Sequence, residues 1–494
     1  MAEVTRRRDD GFGGETASEI PDRHLPGVPY ADLPEPIPFG RVVGPSVLLL
    51  AGAIGSGEFV IWPYIASQTG LALVWLAILG VATQYFINME IERYTLATGE
   101  TAVTGFTRLW KPWGLLFIVM TVVPWAWPGW ATGGSTTLTF AFGLSEGAIV
   151  PITIATLVLI GVVLTVSPVV YQTVEKVQFL LVGLILLFIA FAAIRAISGD
   201  AWVAFGQGLV NVGQIPSAIA TIPAATLLGA LAFAGAGGSL NLVQSNWIRD
   251  KGLGMGARIP KIVSPLTGQE EARPSLGYFF RQDEQNMRRW NGWWRLANRE
   301  QMLTFLLIGA LAIVLLMILT FSTLGVGSEA ESFDFIRLEG EALQALGGSW
   351  LGTVFWLTGT IVLVSTNLAV LDMVGRVTAD VLKVGPLRDN QTWTESKVYF
   401  AVVWAEIAFG SIILLSGIDQ PLVLLIIASS LNGLVMFVYS FLLIRLNRNV
   451  LPSSIGLGGG RLAAMWWAVL FYGFFSAFVV VDFFIKLVTG QDVG

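Results

Sequence analysis

The sequence contains no cysteine and a single histidine, His24, among its 494 residues. The absence of cysteine excludes disulfides, thiolate metal sites and cysteine nucleophiles, and one histidine cannot form an imidazole cluster for metal binding or acid–base chemistry. Charged residues make up only 13% of the chain, about half of the fraction in an ordinary soluble domain. A phosphate-binding Gly-x-x-x-x-Gly-Lys-Ser/Thr motif is also missing. We therefore expect neither an enzyme nor an ATP-driven pump nor a nucleic-acid-binding protein, and no resident cofactor is implied.

Long apolar segments dominate what is present. Hydrophobic residues form 54% of the chain, and its mean hydropathy is +0.70. Because a helix needs about 20 apolar residues to cross the hydrocarbon core of a bilayer, the sequence predicts an all-α, polytopic membrane protein. We count eleven candidate spans, at 42–66, 71–96, 114–141, 147–166, 174–197, 217–246, 302–325, 350–380, 396–416, 421–445 and 463–489.

The distribution of basic residues predicts the orientation. With the N-terminus in the cytoplasm, all of the 29 Lys and Arg residues except Arg195, Arg337 and Lys486 fall on the cytoplasmic side, as the positive-inside rule requires. The C-terminus is then external, and a bacterial inner (plasma) membrane is the default location. Residues 1–40 are predicted to form a disordered cytoplasmic tail without a targeting signal. Residues 249–301 are predicted to form a basic cytoplasmic loop, which either is simply solvated or contacts lipid headgroups.

Glycine clusters interrupt two of the predicted spans near their middle. Several glycines in succession favour unwound backbone, and unwound backbone at that depth must line a cavity or be buried in protein. Each cluster begins a run of five spans, so the second run has to be inserted upside down, as in inverted-repeat secondary transporters. The alternative is close helix packing through small residues. The predicted site residues are Gly55, Ser56, Gly57 and Glu58 in the first span, and Ala234, Gly235, Gly237, Gly238 and Ser239 in the sixth.

The repeat also predicts how the chain is organised. Its first half, 41–200, holds spans one to five, and the sixth span occupies 210–248. Spans seven to ten, 302–446, complete the second half, and the eleventh span occupies 460–490.

Glu58 is the only acidic residue of the first span, and charged groups at this depth usually line a polar pathway. Alternatively, its carboxylate caps backbone amides of a restarted helix.

Short motifs elsewhere carry a family resemblance. They are Gly44-Pro45, Arg93 with Thr98-Gly99, Glu175-Lys176 and Gln420. With the interrupted first helix, they resemble the Nramp family of proton-coupled divalent-metal transporters over most of residues 40–450. The resemblance implies the LeuT-type fold of the amino acid–polyamine–organocation superfamily, an inverted five-plus-five helix repeat with alternating access around broken helices 1 and 6.

The sequence departs from the family where metal is bound. Nramp proteins carry Asp-Pro-Gly-Asn in the first helix, where this chain has Gly55-Ser56-Gly57-Glu58. They carry Met-Pro-His in the sixth helix, where this chain has only the small residues 234–239. The acidic residues of the Nramp third helix are also missing. Without thioether, thiolate or imidazole ligands, we do not expect high-affinity binding of Mn²⁺ or Fe²⁺.

Three hypotheses about the substrate remain open. A hard or partly hydrated divalent cation such as Mg²⁺ would use Glu58 as a metal ligand, together with backbone carbonyls and hydroxyls. An amino acid or organic amine would bind at the Gly55-Ser56-Gly57 turn. An organic cation would bind an aromatic wall, although these tryptophans equally fit an interfacial belt or the core; they are Trp125, Trp127 and Trp130. A non-transporting receptor is a further alternative, whereas a channel is disfavoured because no selectivity filter is visible.

Coupling and gating candidates lie in other spans. Glu58 would exchange a proton with the substrate cation, or Na⁺ would bind carbonyls of the broken helices. Asp372 and Arg376 are four residues apart, so they share a helix face and are predicted to form an ion pair, either structural or part of an inner gate. Gln420 and Asn432 are the remaining candidates, at the start and in the middle of the tenth span. The implied partners are a small solute or ion and the lipid bilayer, with no protein partner.

Overall fold

The computed structural model describes residues 15–167, 169–263, 276–327 and 333–489. Within these residues the chain is helical, apart from isolated β-bridges, so the predicted all-α fold is confirmed. The first half runs through α1 (Pro45–Thr69), α2 (Val74–Thr98), α3 (Ala102–Leu109), α4 (Pro112–Phe142), α5 (Ile149–Val166), α6 (Val170–Ala196) and α7 (Gly199–Val210).

The second half runs through eight further helices. Among the described residues, ten helices are long and apolar enough to cross a membrane. This is one fewer than the eleven predicted spans, because the predicted sixth span is divided between α8 and α9, neither of which is long enough alone. The helices of this half are α8 (Ala224–Ala232), α9 (Gly238–Lys251), α10 (Glu284–Leu324), α11 (Asp334–Gly347), α12 (Ser349–Val384), α13 (Glu395–Leu415), α14 (Pro421–Asn449) and α15 (Gly459–Thr489).

The long helix α12 lies in the middle of the bundle. It packs against α1, α4, α6, α11 and α13, and its stretch from Ser365 to Val381 is buried throughout. Large apolar side chains on the outer helices are instead exposed, including Ile194 on α6 and Leu470 on α15. A bundle with an exposed apolar surface and a buried polar interior matches a protein solvated by lipid.

The first span is not unwound as the glycine cluster predicts. Residues Ile54–Ile61 form a π-helical segment inside a continuous α1, where the amide of Trp62 donates to the carbonyl of Gly57. The prediction of an unwound stretch in helix 1 is therefore wrong. The glycines are used for close contact with neighbouring helices, and a π segment keeps the backbone hydrogen-bonded while it shifts the register of the helix.

The sixth span is broken as predicted. Helix α8 ends at Ala232 and α9 begins at Gly238, and we call the intervening residues 233–237 the break. Gly235 and Gly237 adopt positive φ angles of 112° and 77°, which side chains with a β-carbon rarely adopt. These glycines therefore end one half-helix and allow the next to restart at a new angle.

The N-terminal segment differs from the predicted disordered tail. Residues 1–14 lie outside the described residues, but residues 15–38 pack along the protein, with Val28 and Leu33 fully buried. The Ala31 amide donates to the carbonyl of Phe279 at 2.8 Å, and the Leu33 amide donates to the side-chain oxygen of Asn286 at 2.9 Å. The prediction of disorder is wrong for 15–40, because prolines and spaced apolar residues suit an extended strap held by such contacts.

Part of the predicted basic loop is helical. Helix α10 begins at Glu284, where the Asp283 side chain accepts a hydrogen bond from the Asn286 amide, and it continues into the seventh span. This hydrogen bond lowers the pKa of the exposed Asp283 carboxyl from its usual value. Residues 264–275 of the loop lie outside the described residues. The predicted loop 249–301 is thus partly an extension of a membrane helix.

Buried charges gather at one end of the bundle, which we call the charged end and define as residues 90–108, 247–258 and 372–380. Arg108 forms two hydrogen bonds to Glu100, at 2.7 and 2.5 Å, and both side chains are buried. Burial raises the pKa of the Glu100 carboxyl, but the charge and hydrogen bonds of Arg108 outweigh it, so the net shift is downward. Because buried charges are stable only when paired, such pairs hold the segments of this end together.

Candidate functional site

The two glycine clusters meet in the centre of the bundle. A β-carbon on Gly57 would overlap the backbone carbonyl of Phe233 in the break, and a β-carbon on Gly55 would overlap Thr366 and the Val362 carbonyl of α12. Helix α1 is therefore pressed between the break and α12. The two stretches therefore face each other in direct van der Waals contact.

The π segment of α1 is supported by α12. The hydroxyl of Thr366 donates to the carbonyls of Ala51 and Gly52, at 3.0 and 3.3 Å, and these carbonyls lie just before the segment. Ser56 belongs to the segment by its backbone, and its side chain lies outside the described residues. The Gly55–Gly57 amides are thus part of a helix, which is a different arrangement from the open anion-binding turn that an amino-acid carboxylate requires.

A glutamine of α2, Gln84, forms hydrogen bonds with backbone groups at the break. Its Nε2 donates to the Ala232 carbonyl at 2.8 Å, and its Oε1 accepts from the Gly237 amide at 3.0 Å. The same Oε1 accepts from Asn241 Nδ2 at 3.2 Å, and Asn241 also donates to the Tyr439 hydroxyl at 3.1 Å. This residue, Gln84, was not predicted as a site residue. A glutamine in the middle of an apolar span was the signal for it, since buried polar groups at this depth need a partner.

The start of α9 is held by α14. Asn432 Oδ1 accepts a hydrogen bond from Trp125 Nε1 at 2.7 Å and from the Ser239 amide at 3.4 Å. Gly238, with φ of 51°, lies against the same side chain, where a β-carbon would overlap Asn432. Of the predicted candidates in the tenth span, Asn432 therefore lies at the break. Gln420 does not, since it is exposed at the start of α14, twelve residues or about 18 Å earlier along the helix.

Two of the three predicted aromatic residues lie beside the break. Trp125 and Trp130 stack with ring centroids 5.0 Å apart, and Phe233 of the break lies 5.4 Å from Trp125. Both tryptophans are almost fully buried, so they form a packed cluster and not an open wall. Trp127 lies apart, on the outer surface beside Phe409. Its Nε1 donates to a carbonyl of its own helix.

Glu58 is the one acidic residue of α1, and it is 1% exposed. Neither of its carboxylate oxygens has a hydrogen-bond partner among the described residues. The side chain lies beside α10, where a β-carbon on Gly309 would be 3.5 Å from Glu58 Oε1, and Leu50 and Val81 approach the same point. A carboxylate buried without a partner is expensive, so this position points to a bound proton or cation.

Glu58 lies one helical turn from the break along two neighbouring helices. A β-carbon on Gly235 would be 2.8 Å from both Gln84 Oε1 and the Phe305 ring. On α10, Phe305 precedes Gly309, next to Glu58, by four residues. On α2, Gln84 follows Val81, which also lies near Glu58, by three residues. Because residues three or four apart are neighbours on a helix, Glu58 and Gly235 approach the same space between α1, α2, α10 and the break.

The predicted ion pair of α12 is confirmed. Arg376 Nε lies 2.7 Å from Asp372 Oδ2, and both side chains are fully buried. Arg376 also pairs with Asp250, while Asp372 accepts from Trp247 Nε1 at 2.9 Å and from the Tyr399 hydroxyl at 2.8 Å. Trp247 lies nine residues after Gly238, so the pair is about 13 Å from the break. It belongs to the charged end and is separate from the site around the break.

The donor set around the break is sparse. Among the described residues, no group of three or more Asp, Glu, His or Cys side chains is placed to hold a metal ion. An ion at the break would therefore rely on one carboxylate, Glu58, and on backbone carbonyls, because Gln84 Oε1 already accepts two hydrogen bonds. Such oxygen donors suit hard cations that keep part of their water shell, and they do not select soft transition metals.

Comparison with solved structures identifies the fold. The chain is similar to two single-residue variants of the manganese transporter of Eremococcus coleocola, with a TM-score of 0.65 and 13% identity over 97% of this chain and 93% of that chain. It has the fold of that transporter. The same transporter in complex with an aromatic bis-isothiourea substituted compound gives a TM-score of 0.63 and 13% identity, covering 96% of this chain and 92% of that chain.

No protein-family model and no curated protein sequence matches the chain. The structure thus confirms the fold expected from the Nramp resemblance. The sequences have diverged so far that the fold does not identify the substrate. At 13% identity, conservation of the fold does not require conservation of the bound solute.

Proposed function

We propose that the protein is a secondary-active transporter whose substrate passes between α1 and the break of the sixth span. The observation that carries this proposal is the break itself. A discontinuous helix in the interior of a membrane bundle, in contact with the altered first helix, is the arrangement that secondary transporters use to bind and release a solute. The likeness of fold to a manganese transporter agrees with it.

The proposed substrate is a hard or partly hydrated divalent cation such as Mg²⁺. Glu58 supplies its carboxylate, and backbone carbonyls of the break supply neutral oxygens. A small organic solute at the Gly55–Gly57 turn is the weaker candidate, because the backbone of that turn is helical. An organic cation held by Trp125 and Trp130 is weaker still, because both rings are already packed against each other.

Coupling to H⁺ or Na⁺ is part of the proposal. Glu58 is the proposed proton carrier, since burial favours its neutral form and an arriving cation favours the charged form. We also propose that the charged end faces the cytoplasm, in accordance with the positions of the Lys and Arg residues in the loops. Imposing a pH gradient or a Na⁺ gradient across proteoliposomes distinguishes the two coupling ions.

Uptake of Mg²⁺ into proteoliposomes tests the function. Glu58→Gln is expected to lower the initial rate about tenfold or more, since even outer-shell partners of metal ligands contribute about 10–100-fold, while the protein still elutes as a folded particle. Glu406→Gln is the matched control, because Glu406 is also a buried carboxyl with an unpartnered oxygen, on α13 away from the break. We expect that variant to transport like the wild type.

Other outcomes have defined meanings. Unchanged kinetics in Glu58→Gln would remove Glu58 from the mechanism. Binding of Mg²⁺ without uptake would favour a receptor built on a transporter fold. Micromolar binding of Mn²⁺ in calorimetry would contradict the argument from the missing thioether and imidazole ligands.

A further inference from the structure

A second set of buried polar side chains lies between the break and the charged end. On α2, Asn88 and Glu92 follow Gln84 at four-residue steps, so the three share one helix face. On α9, Gln244 follows Asn241 by three residues and packs toward the same face of α2, where its Nε2 donates to Glu92 Oε2 at 3.4 Å. All five side chains are at most 2% exposed.

Two carboxylates meet in this set. Glu92 on α2 and Glu300 on α10 lie on helices that pack against each other, close enough for their charges to interact. Glu300 Oε1 accepts hydrogen bonds from the Gly44 and Ser46 amides at 3.2 and 3.3 Å, which fixes it against the start of α1. Lys251 is the basic side chain that acts on Glu300, but it is itself paired with Glu175. The two carboxylates thus lie in one buried region, and the basic side chain that acts on Glu300, Lys251, is already paired with another carboxylate.

Amide groups with unused hydrogen-bonding capacity surround the carboxylates. Neither the oxygen nor the nitrogen of Asn88 has a hydrogen-bond partner among the described residues, and neither Gln244 Oε1 nor Gln301 Oε1 has one. Gln301 lies beside Glu92. Leaving one such group buried and unpaired costs about 1–3 kcal/mol, and native proteins rarely leave several together. The set therefore points to a bound species that accepts oxygen donors.

We propose that a hard divalent cation binds between α2, α9 and α10, ligated by the carboxylates of Glu92 and Glu300 and by the amide oxygens of Asn88, Gln244 and Gln301. Five oxygen donors, two of them charged, match the ligand number and chemistry of Mg²⁺ or Ca²⁺ sites. Internal water would satisfy the amides and protons would neutralise the carboxylates, whereas one divalent cation does both at a single point. The absence of sulfur and nitrogen donors from the set disfavours soft metals.

This site is distinct from the proposed transport site. Glu92 lies eight residues beyond Gln84 on α2, a separation of about 12 Å. Access from the charged end requires a rearrangement, because the Lys251–Glu175 pair and the Tyr171 hydroxyl lie directly over Gly44. We therefore expect slow exchange of the ion, and its binding does not depend on whether the protein transports anything.

Binding is measured on the full chain in the Glu58→Gln background, so that the transport site does not contribute. The purified protein is stripped with a chelator, warmed with Ca²⁺ or Mg²⁺ and dialysed to equilibrium, and the bound metal is counted. We expect about one ion per chain. Adding Glu92→Gln should weaken its affinity about tenfold or more, and adding Asn88→Leu should weaken it by a smaller factor. Adding the control Glu406→Gln should leave it unchanged.

Three results would overturn the proposal. The first is no bound divalent ion in the Glu58→Gln background. The second is an affinity that neither Glu92→Gln nor Asn88→Leu alters, with Asn88→Leu deciding the case if Glu92→Gln does not fold. The third is binding of Na⁺ alone. Failure of the transport function would look different, since the wild type would then bind the ion here but take up none.

Discussion

Gly57 offers the sharpest test of the contact between α1 and the break. Its α-carbon faces the backbone carbonyl of Phe233, and an added β-carbon would overlap that oxygen and carbon. Backbone atoms cannot rotate away as the end of a flexible side chain can. In Gly57→Ala the helix and the break must therefore move apart, which disturbs the packing on both sides of α1.

The expected magnitude follows from the nature of the overlap. Forcing one extra methyl group into a packed interior costs about 1–3 kcal/mol, whereas alanine in an unobstructed helix position gains about 1 kcal/mol over glycine. One kcal/mol shifts Tm by about 2–4 °C in domains of 150–250 residues, and less in longer chains. We expect Gly57→Ala to lower Tm by about 1–6 °C and to reduce uptake more strongly than stability.

The control is Gly183→Ala on α6, where an added β-carbon meets nothing within 4 Å. That variant should be as stable as the wild type or slightly more stable. Thermal unfolding in detergent and uptake into proteoliposomes measure both variants side by side. Wild-type Tm together with wild-type uptake for Gly57→Ala would refute the contact and the placement of the transport route beside it.

Two further predictions concern ionisable groups. Burial raises the pKa of Glu339 on α11 to about 8, although a hydrogen bond from Thr320 opposes the shift. The folded state then keeps a proton that the unfolded chain loses near pH 4.5, so stability should fall as the pH rises from about 4.5 to about 8. In a measurement of Tm against pH, Glu339→Gln should remove this slope. Asp372→Asn should destabilise the protein by about 3–5 kcal/mol by leaving Arg376 poorly compensated, and an unchanged unfolding midpoint in denaturant would show that the pair is not structural.

Local features of the sequence predicted the helices and the sixth-span break. Membrane spans can be predicted because the stretch of a helix that crosses the hydrocarbon core must be apolar over a fixed length. The break could be predicted because Gly235 and Gly237 adopt backbone angles that few other residues tolerate. The pair of Asp372 and Arg376 was predictable for the same reason, since a four-residue spacing on one helix fixes their proximity.

Features that depend on distant segments were not predictable. Glycine permits both an unwound chain and a close helix contact, and only the positions of Phe233 and Thr366 decide that Gly55 and Gly57 serve contact in a π-helical α1. The role of Gln84 depends on α9 packing against α2. The strap formed by residues 15–38 depends on partners more than 240 residues away, such as Asn286.

The sequence by itself determined a lipid-solvated helical bundle with an interruption in the sixth span, because apolar length and glycine content act within one segment. Only the tertiary structure decided which polar groups meet. Glu58 beside Gly309, and Glu92 beside Glu300, come together through packing of helices far apart in the chain, and such packing depends on the shape and space of every neighbour at once.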